Sequence, residues 1–236
     1  TILKKYNLNA SLFISPSILD GNQNYWWQKI DFYKEEKIYI ELAKLLNIDK
    51  DKLKALGVKP VEILKELDLK KINELLNILQ PTNKKDPEFL NINTEELIEM
   101  SNSGNFTIGS HTYNHPILAN ESKSDVDFEI HQSKEYLENL LDKEVDTFAY
   151  PNGIPGLDFG SREIETCRSA NIKIAYSCEV SYFSTSNSSL SVPRLEISNG
   201  SRFKNLTKIF FLNYFKNRLM NPNVNSARLN LKKNMV

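Results

Sequence analysis

The sequence predicts an α/β fold in which parallel strands carry helices on their outer side, and three observations lead there. Short runs rich in strand formers recur along the chain, amphipathic segments of 3.6-residue period lie between them, and Gly, Asn and Pro mark the junctions. Alternation at this spacing over 236 residues fits a (β/α) barrel or a close variant.

The elements follow in order. A helix ending near Asn7 to Asn9 leads into the strand "ASLFIS" at 10–15. From 20 to 93 the character changes to amphipathic stretches such as "KIYIELAKLL" and "PVEILKELDLKKINELLNIL", which predict a helical insert. Such an insert is far longer than an ordinary strand-to-helix connection, so it is expected to wall or cover the mouth of a cleft. "NTEELIEMSNSG" opens the next helix with Asn93 as N-cap, Glu96 reaching back to it and Gly104 as C-cap. There follow the strand "FTIGS", a helix over 122–142, the strand "DTFAYP", the helix "SREIETCRSAN" and the strands "IKIAYSC" and "SVPRLEIS". A surface loop "STSNSSLS" precedes the last of these, and a closing helix begins near Ser201. Strands at 10–15, 106–110, 147–151, 172–177 and 192–197 are expected to run parallel in one curved sheet. Residues 1–236 read as a single domain with the insert at 20–93 inside it.

Composition narrows the function classes. Thirty Lys and Arg balance thirty Asp and Glu, so the chain as a whole is expected to offer no net pull toward nucleic acid or an anionic membrane. The two cysteines, Cys167 and Cys178, are too few for a disulfide framework, and both are expected to be small buried hydrophobes. No apolar run reaches the length of a membrane span, although the aromatic and basic "FKNLTKIFFLNYFKNRL" at 203–219 suits either a packed closing helix or the surface of a membrane. The sequence opens on Thr1 within a helical pattern, so a segment upstream is expected. Cytoplasm and bacterial cell envelope both stay open as locations.

Two stretches carry candidate chemistry. "GSHTYNHPIL" puts His111 and His115 at the exit of a strand, the end at which barrel folds carry their chemistry. If the backbone turns helically there, the two imidazoles project from one side and can reach one divalent ion. The bland alternative is a pair of surface histidines. "TFAYPNG" ends a strand in a tight turn, where proline fixes φ and glycine permits positive φ, so that N–H groups near Tyr150 and Asn152 can point into a cleft and hold an oxyanion. Trp26 and Trp27 are either a platform on which a sugar ring stacks or the anchor of the insert. His131, mid-helix among charged residues, is expected to face solvent.

Taken together, "TIGSHTYNHPIL" and "VDTFAYPNG" resemble the second and third motifs of the NodB-homology polysaccharide deacetylases, carbohydrate esterase family 4. "ILKKYNLNASLFIS" is similar to the segment after that family's first motif, and "DGNQNYWW" to the opening of an insert in members from surface-polysaccharide clusters. The resemblance implies a distorted (β/α) barrel whose first strand is missing from this sequence. It also implies a divalent metal, usually zinc, on two histidines, here His111 and His115, and an aspartate. In the family the metal polarises the acetyl carbonyl and activates water, with a second aspartate as general base. Both aspartates belong to a Thr-Phe-Asp-Asp-Gly motif expected upstream of Thr1.

Departures from the pattern matter as much. Ala149 stands where many members carry arginine, and Asn152 replaces a tyrosine whose backbone N–H binds the oxyanion. No histidine follows His131, so the family's general-acid histidine has no match, and Arg194 in "VPRLEI" lies near its place. Arginine stays protonated and makes a poor acid, which leaves Arg194 a substrate-binding role. The implied activity is removal of an acetyl group from an amino sugar of a glycan or lipid-linked glycan precursor. The alternatives are a catalytically degenerate glycan-binding module of the same fold and an adaptor that binds protein through the insert.

Overall fold

The computed structural model describes residues 2–19, 24–79, 91–184, 188–195, 197, 201–210, 226 and 228. Four parallel strands form one sheet in sequence order: β1 (Ala10–Ile14), β2 (Phe106–Ser110), β3 (Thr147–Ala149) and β4 (Ile174–Tyr176). Each crossover between them carries at least one helix, as parallel pairing demands. β1 and β2 run in register from Ala10 opposite Phe106 to Ile14 opposite Ser110. Gly109 sits in this sheet because a side chain would not fit. A Cβ there would lie 2.5 Å from the Phe13 ring and 2.7 Å from Thr147 Oγ1.

The fifth strand expected at 192–197 contracts to a single parallel bridge, Val192 opposite Tyr176. Val192 N–H donates to Ala175 (2.8 Å) and Ser177 N–H to Val192 (2.8 Å). The ladder then meets Pro193, which has no N–H to continue it.

The outer helices follow the apolar periodicity. α7 (Thr94–Asn102) starts in the expected capping box: Asn93 Oδ1 accepts from Glu96 N–H at 2.8 Å, and Glu96 Oε2 accepts from Asn93 N–H at 3.0 Å. α8 (Lys123–Leu141) is capped by Ser122 and ends at Asp142 in the left-handed region, φ 51°. It turns Val126, Ile130, Ser133 and Leu137 inward at helical spacing. α9 (Ser161–Ser169) covers β3 and β4 through Cys167.

Between β1 and β2 lie five helices: α2 (Trp26–Ile30), α3 (Glu35–Leu46), α4 (Lys50–Ala55), α5 (Pro60–Leu64) and α6 (Leu69–Leu79). The single long helix suggested by "PVEILKELDLKKINELLNIL" is broken after Leu64, where a turn through Lys65 to Asp68 separates α5 from α6. These helices enclose their own apolar core around Leu42, Ile63, Leu64, Ile72 and Leu75, distinct from the two clusters that line the sheet. The two ends of the segment meet at a neck. Thr94 Oγ1 donates to the Leu19 carbonyl (3.2 Å), and the side-chain amides of Gln28 and Asn91 pair at 3.2 Å.

A second joint ties these helices to the sheet. Asn120 Nδ2 donates to the carbonyls of Lys65 (2.8 Å) and Leu67 (3.2 Å), and Glu121 Oε1 accepts from the Leu69 N–H (2.8 Å) at the start of α6. Burial pushes the Glu121 carboxyl up from its ordinary 4.5 to about 7. Between those values the folded protein holds a proton that the unfolded chain releases, so stability falls as pH rises through the window. Glu121→Gln keeps an acceptor for Leu69 and removes the titration. It should match the parent near pH 4 and exceed it at pH 8 by on the order of 1–3 kcal/mol, read from urea unfolding at both pH values.

A third joint crosses from the far end of the chain. Arg228 is 2 % exposed; its Nε donates to Glu66 Oε1 (2.5 Å) and its Nη2 to Asp158 Oδ1 (2.7 Å), and both carboxylates are buried.

Among the described residues no helix is long and apolar enough to cross a membrane. Residues 185–187 of the loop at 184–191 and the closing-helix residues 211–219 lie outside the described residues; α10 (Arg202–Phe210) is the part of that helix described. Of the cysteines, Cys167 is buried as expected. Cys178 is exposed, because the chain beyond β4 leaves the sheet and passes over Gly153.

Candidate active site

His111 leaves the C-terminal end of β2, and the turn 150–153 leaves the same end of β3 beside it. The stretch from His111 to His115 is a loop and not a helical turn, which corrects the reasoning from i, i+4 spacing. What brings the rings together is a pair of left-handed residues, Thr112 (φ 64°) and His115 (φ 59°). A β-branched residue in that region is strained, and such strain persists only where surrounding contacts fix it. They do so here: Thr112 is fully buried and its Oγ1 accepts from the His115 N–H (3.0 Å). The His111 N–H donates to Ile14 (3.0 Å), and Ser15 Oγ donates to the His111 carbonyl (2.8 Å). The two imidazole centroids end 4.6 Å apart.

The loop is also held from behind. Glu129 of α8, buried in the helix's inward stripe, accepts from the Asn114 N–H (2.8 Å) and from Asn114 Nδ2 (2.8 Å). Burial raises its carboxyl above the ordinary range. Sequence reading missed Glu129, and the signal was available. In "VDFEIHQS" it stands three residues after Val126 and four before Ser133, on the face that the apolar residues bury.

Electrostatics keep both rings neutral. Burial lowers His111 from 6.5 to about 4, against the pull of its bond to the Ala149 carbonyl, and the positive charge of Arg194 adds to the lowering. Burial takes His115 well below 6.5, and His111 beside it adds to the effect. His111 Nδ1 lies 2.5 Å from the Ala149 carbonyl, so Nδ1 carries the proton and Nε2 keeps its lone pair. His115 Nδ1 is buried and has no hydrogen-bond partner among the described residues. Two neutral imidazoles side by side, one tautomer fixed and the other ring carrying an orphaned nitrogen, fit two donors of a divalent-ion site. No group of three His, Cys, Asp or Glu suited to a metal occurs among the described residues.

Three aromatic side chains reach the pair from α2 and the residue before it. Trp27 lies 4.3 Å from the His115 ring and stacks on Tyr25 at 4.3 Å, while Tyr25 meets His115 edge-on at 5.4 Å and bonds Ser15 through its hydroxyl. The tandem tryptophans part company. Trp26 is buried in the helical core and its indole N–H donates to the His115 carbonyl (3.3 Å), which is an anchor's position and not a stacking platform. Trp27 keeps partial exposure beside the histidines.

The third motif contributes backbone. The Tyr150 side chain lies in the core, stacked on Phe159 at 3.7 Å with its hydroxyl donating to Leu190 (2.9 Å), and its N–H is used by Tyr176 (3.1 Å). The Tyr150 N–H expected near the cleft is thus committed to the sheet, and burial pushes the phenol far above its ordinary range. Asn152 adopts φ 53° and Gly153 φ 72°, the left-handed pair that closes the turn. Among the described residues the Asn152 N–H has no acceptor, so it is the donor this turn can present. Arg194 arrives from the Val192 bridge, with Nε donating to Ser177 (2.8 Å) and Nη2 to Cys178 Sγ (3.3 Å). His131 lies apart from the pair, half-buried on α8, with Nδ1 against the Asp127 carbonyl (2.9 Å) and Nε2 3.5 Å from Ser169 Oγ of α9.

A polar cavity of about 150 Å³ opens between α2, α6 and the histidine loop, lined by Ser17, Asn24, Tyr25, Lys29, Asn73 and Asn114 among others.

No curated protein matches the sequence. Among solved structures, the deacetylase PplD of Streptococcus pyogenes in complex with acetate is 25 % identical over 50 % of this chain and 50 % of its own, with a TM-score of 0.45. The de-N-acetylase from Aggregatibacter actinomycetemcomitans is 14 % identical over 88 % of this chain and 67 % of its own, with a TM-score of 0.51, a likeness of fold. IcaB from Ammonifex degensii is 19 % identical over 50 % of this chain and 53 % of its own, TM-score 0.40. The chain thus spans about half the length of PplD and of IcaB. The Polysaccharide deacetylase family profile matches residues 1–162, a stretch that runs from before β1 past both motif loops to the start of α9, and the chain belongs to that family.

Proposed function

We propose that the chain is the catalytic domain of a metal-dependent deacetylase that hydrolyses the acetyl group of an amino sugar in a glycan or lipid-linked glycan precursor. The observation that carries the reading is the pair of neutral imidazoles, His111 and His115, held 4.6 Å apart by a strained loop. They would hold the ion, zinc above all. Such an ion, when bound, polarises a carbonyl and makes water nucleophilic near neutral pH. The Asn152 N–H serves the oxyanion from the neighbouring strand exit. Arg194 contributes fixed positive charge and not a proton, since guanidinium does not release one. The amide-rich cavity beside Asn114 takes sugar hydroxyls, and Tyr25, on which Trp27 stacks, borders it with an aromatic surface. The insert, residues 20–93, is the wall that brings these two features to the cleft.

The test is acetate release from an N-acetylglucosamine oligomer by the chain extended upstream to supply the aspartates that the family resemblance implies. Activity that depends on added zinc and is lost in His115→Ala supports the assignment. A second reading rests on the absence of a third metal-binding side chain among the described residues: the cleft binds glycan without turnover. Saturable oligomer binding with no acetate released by the extended chain would favour it.

A further inference from the structure

The balanced charge of the whole chain conceals a segregation. Residues 197–236 contain eight Lys and Arg and no Asp or Glu, so the preceding 196 residues carry an acidic excess of eight. The one described helix in that basic stretch, α10, is amphipathic with its apolar side uncovered. Phe203 is 75 % exposed, Leu206 41 %, Ile209 39 % and Phe210 72 %, at positions i, i+3, i+6 and i+7, which share one helical face. The preceding loop extends the patch with Tyr182 and Phe183, both exposed, and the Tyr182 hydroxyl donates to the Ile209 carbonyl. Scattered exposed hydrophobes need no explanation, whereas six on one continuous face do.

We infer that α10 docks the protein on an anionic lipid bilayer, with its aromatic and aliphatic face in the headgroup boundary and the Lys and Arg of the same stretch, apart from the buried Arg228, supplying attraction to the acidic headgroups. Charge and apolarity together select this occupant. Nucleic acid would use the positive charge and leave the Phe–Leu–Ile–Phe face unemployed. A second copy of the chain would cover the apolar face but would bring an equal set of positive charges against the first. An anionic lipid surface satisfies both features, because interfacial helices bind through buried apolar area and attraction to acidic headgroups at once. The inference does not rest on the deacetylase reading.

Vesicle co-sedimentation of the full 236-residue chain tests it. The chain should pellet with vesicles of phosphatidylcholine mixed with phosphatidylglycerol and not with phosphatidylcholine alone, and rising salt should release it. Phe203→Ser combined with Phe210→Ser, at exposed positions that leave the fold unchanged by circular dichroism, should weaken partitioning by about tenfold or more. Lys204→Gln and Lys208→Gln should each cost about fivefold. Failure to pellet with either vesicle, or equal pelleting with both, would overturn the proposal. So would a lipid-free dimer in sedimentation velocity that the double Phe variant dissolves, or duplex DNA binding that the same variant leaves intact. Because none of these readouts involves acetate release, the proposal and the deacetylase reading fail independently.

Discussion

Zinc titrated calorimetrically into residues 1–236 is expected to bind about a hundredfold or more weakly than at a three-ligand site, and His111→Ala should abolish the binding that remains. Counting donors gives the first expectation, since His111 and His115 are both neutral and no third donor joins them among the described residues. Two uncharged imidazoles leave the ion's charge uncompensated. The second follows from tautomer control. His111 is fixed by the Ala149 carbonyl with Nε2 free, and removing it leaves His115 alone. Adding an upstream segment that carries the aspartate implied by the family resemblance should restore tight binding and raise the melting temperature with zinc concentration, as binding to the folded state requires. Tight zinc binding that survives His111→Ala would place the metal elsewhere and end this assignment.

The largest expected stability effect belongs to Arg228. Arg228→Ala should destabilise the fold by about 3–5 kcal/mol, because it leaves Glu66 and Asp158 buried together without their cation. That is a large share of the total stability of an ordinary domain. Arg228→Lys should recover only part, since a single ammonium cannot offer two carboxylates the separate donors of a guanidinium. Removing the charges together, with Arg228→Met, Glu66→Gln and Asp158→Asn in one chain, should cost less than Arg228→Ala alone. Urea unfolding measured at pH 7 gives all three. An Arg228→Ala loss below about 1 kcal/mol would show that the carboxylates regain water and that the clamp contributes little.

Much of this architecture was legible from local pattern. The four strands, the capping box at Asn93 and the helix between the two motif loops follow from period and cap chemistry, which act over a few residues. The family likewise follows from two short motifs. Legibility fails where distant contacts decide. Nothing around Thr112 announces a left-handed β-branched residue, which exists because Thr112 is fully buried and bonded within the loop it bends. Trp26 and Trp27 look equivalent in sequence, and only the direction of α2 buries one and leaves the other beside His115. The fifth strand was overread because its alternation is sound and Pro193 removes the ladder. Glu66, Asp158 and Arg228 lie up to 162 positions apart, beyond any pattern reading.

The neck of the helical segment bears on how the chain folds. β1 and β2 are the most extensively paired strands, yet Ala10 meets Phe106 only after everything between them has been accommodated. A disordered segment of that length opposes the pairing through loop-closure entropy. A segment that has already collapsed around Leu42, Ile63 and Leu75 brings its own ends together at Gln28 and Asn91, so the search shortens to the stretches from Ile14 to Gln28 and from Asn91 to Phe106. The helices are therefore placed to order early and the central strand pair late, although that pair holds the histidine loop. The assembly of the site is then a late event, gated by a part of the molecule that supplies no histidine to it.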